Sequence, residues 1–201
     1  LRRIVAVLAA VGLAASVPCH AAGPTAFPAM SEEALAPKIA PKGYDVTVIV
    51  FSDYGCPYCR KLHNTLTQLL ERDRRVRVVY RDWPIFGGAS LLAARAAIAS
   101  QWQGRHAAFN AALFAQPGRL TQESVEAAAK AAGLDWNRLL ADMKARAKEI
   151  DTVIARSNAG AQALEFQGTP GLLIGTSRLG GAASLSQLME AIAEARKAGQ
   201  G

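Results

Sequence analysis

Cysteine is scarce in this chain, with three residues in 201, and two of them, Cys56 and Cys59, are separated by only two positions. A pair this close cannot staple distant segments, so a disulfide framework is excluded as the source of the fold. The sequence also lacks an apolar run of membrane-spanning length: the N-terminal run from Ile4 to Ala15 falls well short of the roughly 20 residues such a helix needs. It has no dense Lys/Arg run with interleaved aromatics, which argues against a nucleic-acid partner. The formal net charge of +7 is a modest excess spread over many segments, as a solvated surface carries it. Internal repeats are absent, and so is low complexity beyond an alanine bias. What is present is a 51% hydrophobic share, ample for the core of one large domain or two small ones.

The N-terminus has a distinct layout. Arg2 and Arg3 precede the apolar run, and Ser16, Pro18 and the small residues Ala21 and Ala22 follow it. This is the positive, apolar and cleavable order of a secretory signal peptide, expected over residues 1–22 with cleavage near Ala21 or Ala22. Pro18 immediately before Cys19, with Ser16 three before it, fits a lipid-anchor site poorly. Cleavage would remove Cys19 and leave 21 basic against 16 acidic residues. The expected location is periplasmic or secreted. In such an oxidising compartment a lone close cysteine pair reads as reactive rather than structural.

Residues 23–45 read as an N-terminal arm or linker, with Ser31 to Ile39 suited to one short helix. Val46 and Val48 to Phe51 form a nearly continuous β-branched run, the pattern of a central strand covered on both faces. Cys59, Leu62, Leu66, Leu69 and Leu70 then recur at helical spacing, with Pro57 fitted to the first turn. Val76 to Tyr80 supplies a second strand, completing a β-α-β unit that is expected to be right-handed. From about residue 88 to 165 the chain is alanine-rich and helical in period, broken at Gln116-Pro117-Gly118 and at Gly133. Leu139, Met143, Ala147, Ile150 and Ile154 make one stripe of a long helix there, and no polar constellation interrupts these segments. Leu172 to Ile174, a turn at Gly175, Thr176 and Ser177, and a partner around Arg178 and Leu179 predict an edge hairpin. Ser184 with Gln187 is a capping-box signature for a last helix that buries Leu185, Leu188, Met189 and Ile192.

The chemistry concentrates where the buried strand meets its helix. The unpaired N–H groups and dipole of a helix N-terminus favour a thiolate at Cys56, while Cys59, one turn further in, is shielded. The expectation is that Cys56 forms a mixed disulfide with a substrate cysteine and Cys59 resolves it. Half a zinc site is the first alternative, but only His63, His106 and the acids remain to complete it. An inert bridge is the second, and it would close too small a loop to stabilise much. No cofactor or metal is expected. His63 lies one turn beyond Cys59 and is expected to face solvent; Asp53, at the strand end, suits capping of the turn or helix.

Four features occur in order: Cys56-Pro57-Tyr58-Cys59, then Tyr80-Arg81-Asp82-Trp83-Pro84, the helical insertion, and Gly168-Thr169-Pro170. Together they resemble the DsbA-like branch of the thioredoxin superfamily over residues 46–200. That resemblance implies an α/β, thioredoxin-like fold with an inserted helical subdomain. It also implies disulfide exchange with unfolded or cysteine-containing exported proteins, and a membrane redox partner that regenerates the pair. By the same resemblance Pro170 is cis and lies against the two cysteines, Thr169 offers backbone groups to an extended substrate, and Pro57, Tyr58 and Asp53 support the motif. One position departs: relatives often carry a buried acid six residues before the first cysteine, and here it is Val50, which predicts slower resolution or reliance on water. Pro-Tyr between the cysteines and Thr before the proline are similar to isomerase-like relatives of the DsbG type. The single-domain layout, with an arm too short for a dimerisation domain, is similar to the oxidases. A monomeric oxidase is therefore expected, with a reductase or isomerase as the alternative and a non-redox peptide-holding chaperone as a more distant one.

Overall fold

The computed structural model describes residues 26–199; the segment expected to be a signal peptide, with Cys19, lies outside them. The apolar run forms β2 (Val46–Ser52), every residue of which is buried. It is the middle strand of a five-stranded sheet, flanked by β3 (Val76–Asp82) and β4 (Gly171–Ile174), with β1 (Lys38–Ile39) and β5 (Ser177–Gly180) at the edges. β2 and β3 pair in parallel, Val46 opposite Val76 through Ser52 opposite Asp82, while β4 runs antiparallel to β2. Helix α2 (Pro57–Arg72), taken here in order after α1 (Ala26–Ser31), makes the crossover between β2 and β3.

Both faces of the sheet are covered, which is why β2 reads as continuously apolar. On one face Val48, Val50, Val78 and Leu172 meet Leu62, Leu66 and Leu69 of α2. On the other, Ile49, Phe51 and Val79 meet Met30, Ala161 and Leu164. Gly171 opens β4 against the Phe166 ring, where an added Cβ would come within 2.7 Å of the ring carbons.

The arm is built differently from the expected Ser31–Ile39 helix. The helix is α1, earlier in the chain, and Lys38 and Ile39 form edge strand β1 antiparallel to β3. Pro37 explains the change: it disfavours helical geometry in the residue before it, and its carbonyl accepts the Tyr80 N–H at 2.8 Å. Met30 and Ala36 are buried, so this part of the arm belongs to the core.

Between β3 and β4 come α3 (Gly88–Ala99), α4 (His106–Ala115), α5 (Gln122–Ala131), α6 (Trp136–Ala145) and α7 (Ala147–Ala163). Phe109, Leu113, Val125, Leu139 and Ile150 pack there against small residues such as Ala93, Ala96 and Ala97. The stripe expected on one long helix is divided between α6 and α7. Arg146 breaks helical geometry with φ −116° and ψ 24°, and its guanidinium lies 4.4 Å from the Trp102 ring centroid, a cation–π seat that no glycine or proline announces.

The last helix, α8 (Leu185–Lys197), buries Leu188, Ala191, Ile192 and Ala195. This stripe is narrower than expected: Leu185 is only partly buried, and Met189 turns outward, 48% exposed. Ser184 Oγ accepts the Gln187 N–H while the Gln187 side chain accepts the Ser184 N–H at 2.8 Å, so the capping box is complete. Ser184→Ala is expected to lower stability by about 1 kcal/mol. Urea unfolding should show this as a lower midpoint at unchanged slope; an unaltered midpoint would show that the box contributes nothing.

Candidate functional site

Strand β2 ends at Ser52, and a tight turn delivers the chain to α2 with Cys56 as N-cap and Pro57 in the first turn. A proline there sacrifices no hydrogen bond, because first-turn N–H groups have no helical acceptor. The turn is held by Asp53, which is 1% exposed. One of its carboxylate oxygens accepts the Gly55 N–H and the Ser90 hydroxyl, both at 2.6 Å. The other accepts the N–H groups of Ile85 at 2.6 Å and Phe86 at 2.9 Å. Four donors leave this carboxylate a lock on two loops rather than a free base. Gly55 is required beside it, since a Cβ would meet Ser90 Oγ at 2.8 Å.

Cys56 and Cys59 are buried free thiols. Cys59 Sγ accepts the Asp53 N–H at 3.5 Å. The carbonyl oxygen of Thr169, at the cis Thr169–Pro170 bond, lies 3.3 Å from Cys56 Sγ, within hydrogen-bond reach of it when that sulfur is a thiol. Thus chain segments more than a hundred residues apart meet at one sulfur. Tyr58 projects outward, 64% exposed, and Pro57 is exposed beside it.

The two sulfurs divide one proton unequally. Cys56 is pulled down to about 5, first by the hydrogen bond from the Cys59 thiol, then, against the opposing effect of burial, by the Thr169 hydroxyl and the backbone N–H groups of Cys59 and Tyr58. Cys59 is pushed far above the ordinary thiol range, mostly by burial and then by its bond to Cys56. The Thr169 hydroxyl is buried without a hydrogen-bond partner among the described residues and is available to an ionised sulfur. The helix terminus expected from sequence does contribute, but the neighbouring thiol is the larger cause.

Three features of the surroundings go beyond the sequence reading. His63 is half-buried rather than solvent-facing, with its ring stacked on Phe114 at 5.0 Å. The insertion reaches the site after all: Asn110 of α4 accepts the Tyr54 hydroxyl at 3.0 Å, its amide nitrogen lies 3.4 Å from His63 Nδ1, and Ser90 of α3 binds Asp53. Asp82, inside a motif to which sequence assigned no separate role, ends β3 with both carboxylate oxygens buried and without a hydrogen-bond partner among the described residues. Burial, followed by the Asp53 charge, pushes it up to about 8. Val50 is buried and apolar, as its position in the sequence requires.

A family model described as Thioredoxin matches residues 43–194. The chain belongs to the thioredoxin family. A thioredoxin-like oxidoreductase from Silicibacter pomeroyi DSS-3 is 40% identical, with a TM-score of 0.81 over 85% of this chain and 97% of that one. The thiol-disulfide exchange protein alpha-DsbA2 from Wolbachia pipientis is 27% identical, with a TM-score of 0.77 over 85% and 94%. A periplasmic thioredoxin-like protein from Salmonella enterica serovar Typhimurium is 25% identical, with a TM-score of 0.74 over 85% and 95%. The thioredoxin-like fold with its helical insertion is therefore shared along nearly the whole length of these structures. A curated relative, Na(+)/H(+) antiporter NhaA 1 of Salinispora arenicola, is 28% identical over 160 residues; the match takes in 77% of this chain and only 24% of that protein. No described helix is long and apolar enough to cross a membrane.

The orphan acid has a measurable consequence. Folded Asp82 keeps its proton up to about pH 8, whereas an unfolded aspartate releases it near its ordinary value of 3.8. The folded state thus holds the extra proton between those limits, and stability falls as pH rises through that window. Asp82→Asn should remove this slope. Urea unfolding of the reduced proteins at pH 5 and 8.5 should show the wild type losing on the order of 1–3 kcal/mol more than the variant; parallel losses would show that Asp82 is not buried in its acid form.

Proposed function

We propose that this chain is an exported protein thiol–disulfide oxidoreductase, working in the oxidase direction on cysteine-containing or unfolded exported proteins. The observation that carries this is a pair of buried free thiols at the start of α2, with Cys56 against the cis Thr169–Pro170 segment, a setting that lowers the pKa of Cys56 and raises that of Cys59. A stabilised Cys56 thiolate stabilises the dithiol form, and stabilising the reduced form makes a pair oxidising. The thiol-disulfide exchange and periplasmic descriptions of the structural relatives support the same reading.

In the oxidised protein a substrate thiolate attacks Cys56 Sγ, the Cys56–Cys59 bond breaks, and Cys59 leaves and takes up a proton. A second substrate thiolate then attacks the substrate sulfur of the mixed disulfide. Cys56 leaves as a thiolate, which its surroundings stabilise, and the substrate has given two electrons to the pair. A membrane redox partner that accepts those electrons would restore the disulfide.

Cys56 and Cys59 are the catalytic residues in this reading, and Thr169 and Pro170 face the extended substrate segment. Pro57 and Tyr58 support the motif from its exposed side. Tyr58, Ile85 at 44% exposure and Phe86 at 55% offer an apolar rim suited to the side chains flanking a cysteine in an unfolded chain. Asp53 holds the Ile85–Phe86 backbone in place. The protein acts as a monomer.

Thiolate absorbance of the reduced protein should titrate with a midpoint near 5. Cys59→Ala should raise that midpoint, because it removes the largest stabilising donor, and should accumulate mixed disulfides with substrates. Cys56→Ser should abolish exchange. Equilibration with glutathione should give a potential above about −200 mV, whereas one near the thioredoxin value of about −270 mV assigns the reductase alternative. A Cys56 that titrates like free cysteine at about 8.5 would sink the proposal.

A further inference from the structure

Resolution by Cys59 needs a route for its proton out of a site in which the residue is only 1% exposed. Asp53 is fully engaged by four donors, and Val50 cannot carry a proton. Helix α2 places His63 one turn beyond Cys59, on the same face. Between them is a cavity of about 10 Å³, room for the centre of about one water molecule. Ser52, Cys59, His63 and Tyr80 are the lining residues that carry polar side-chain atoms, and the rest of the wall is apolar. Asp82 does not line it.

His63 and Tyr80 also line a wider groove of about 230 Å³, together with Asn110, Glu71 and Arg74. His63 thus lines both the small cavity at Cys59 and the outer groove. The stack on Phe114 and the contact with Asn110 fix its plane.

We propose that His63 transfers the proton of Cys59, through one water in this cavity, to and from the outer groove. The inference rests on the exchange reading above. When Cys59 resolves a mixed disulfide on Cys56, the water takes the Cys59 proton as it passes one to the imidazole. The Cys59 sulfur then bonds to Cys56 Sγ, the Cys56–substrate bond breaks, and the substrate leaves with the electron pair. His63 returns the proton to the groove. In the oxidase direction the same path runs backwards and protonates the departing Cys59.

The charge environment suits a ring that is neutral at rest. Burial lowers His63 from its ordinary value. The titratable groups facing it are Cys59 on its own helix, Tyr54 beyond Asn110, Tyr80 on β3 and, packed on Tyr80, His106 of α4. Burial holds each of these uncharged at neutral pH. Glu71 and Arg74, on the groove, are opposite in sign.

The test separates the two steps of exchange. Reduced protein is mixed with excess glutathione disulfide, and attack by Cys56 and resolution by Cys59 are followed from pH 4.5 to 8.5. In the wild type the resolving rate should fall as pH drops through an inflection below 6.5, where the ring becomes protonated. Cys56 carries no thiol at that stage, so its own ionisation does not intrude. His63→Gln should resolve at least about tenfold more slowly at pH 7 and lose the inflection, while its Cys56 attack rate stays within about twofold of wild type. His63→Ala should regain rate when imidazole is added, which a merely structural role for the ring would not produce. A His63→Gln protein that resolves at the wild-type rate overturns the proposal. Should that variant not fold, a wild-type resolving rate that is flat from pH 8 to 5 overturns it instead. A wild type that forms no mixed disulfide at all overturns the exchange reading, and this inference with it; normal exchange indifferent to His63 overturns this inference alone.

Discussion

One interaction between two sulfurs governs the rest of the site: the neighbouring Cys59 thiol favours a thiolate at Cys56, while burial keeps the proton on the inner sulfur. The sign of this asymmetry follows from burial. Removing Cys59 from water disfavours its thiolate, whereas Cys56 keeps donors on three sides, from Cys59, from the Thr169 hydroxyl and from the first turn of α2. The scaffold serves that arrangement. β2 must end where α2 begins, the Asp53 lock must hold the turn, and the Thr169–Pro170 segment must arrive from far along the chain to bring the Thr169 hydroxyl to Cys56.

Asp53 and Asp82 show how position decides the use of the same chemical group. Both are buried acids near the end of the two central strands. Asp53 has four donors and binds two loops together. Asp82 has none among the described residues and is driven toward its neutral form by burial and by the charge of Asp53 itself. The engaged carboxylate organises the turn at the expense of its neighbour, an energetic tension concentrated beside the reactive pair. Local instability of this kind is expected where a site is arranged for chemistry rather than for stability.

Much of this was legible before any coordinates. The β-branched run from Val46, the helical spacing after Pro57, the insertion and the Ser184–Gln187 box all occur as read, because each is a local pattern with a local cause. Cys56 and Cys59 stood out because their chemistry is rare and their spacing short. The misreadings share another origin. β1 exists because β3 has an open edge to cover, Arg146 leaves the helix where Trp102 offers a seat, and His63 is screened by Phe114 from a different helix. Those causes are non-local, so no window of sequence around the affected residue contains them.

The insertion shows where such non-local effects accumulate. Its helices read as plain packing because each carries an apolar stripe and isolated polar residues, yet Ser90, Asn110 and Phe114 converge on the cysteine-bearing turn from two of them. A thioredoxin-like sheet and its crossover helix would leave the inner end of α2, with Tyr54 and His63, open to water on that side. Covering it raises the cost of ionising Cys59 and so sharpens the contrast with Cys56. The same cover closes the short routes by which a proton reaches the inner sulfur. A fold that buries one thiol of an exchanging pair therefore also acquires a need for a proton path, and His63, which lines both the inner cavity and the outer groove, is where the packing offers one.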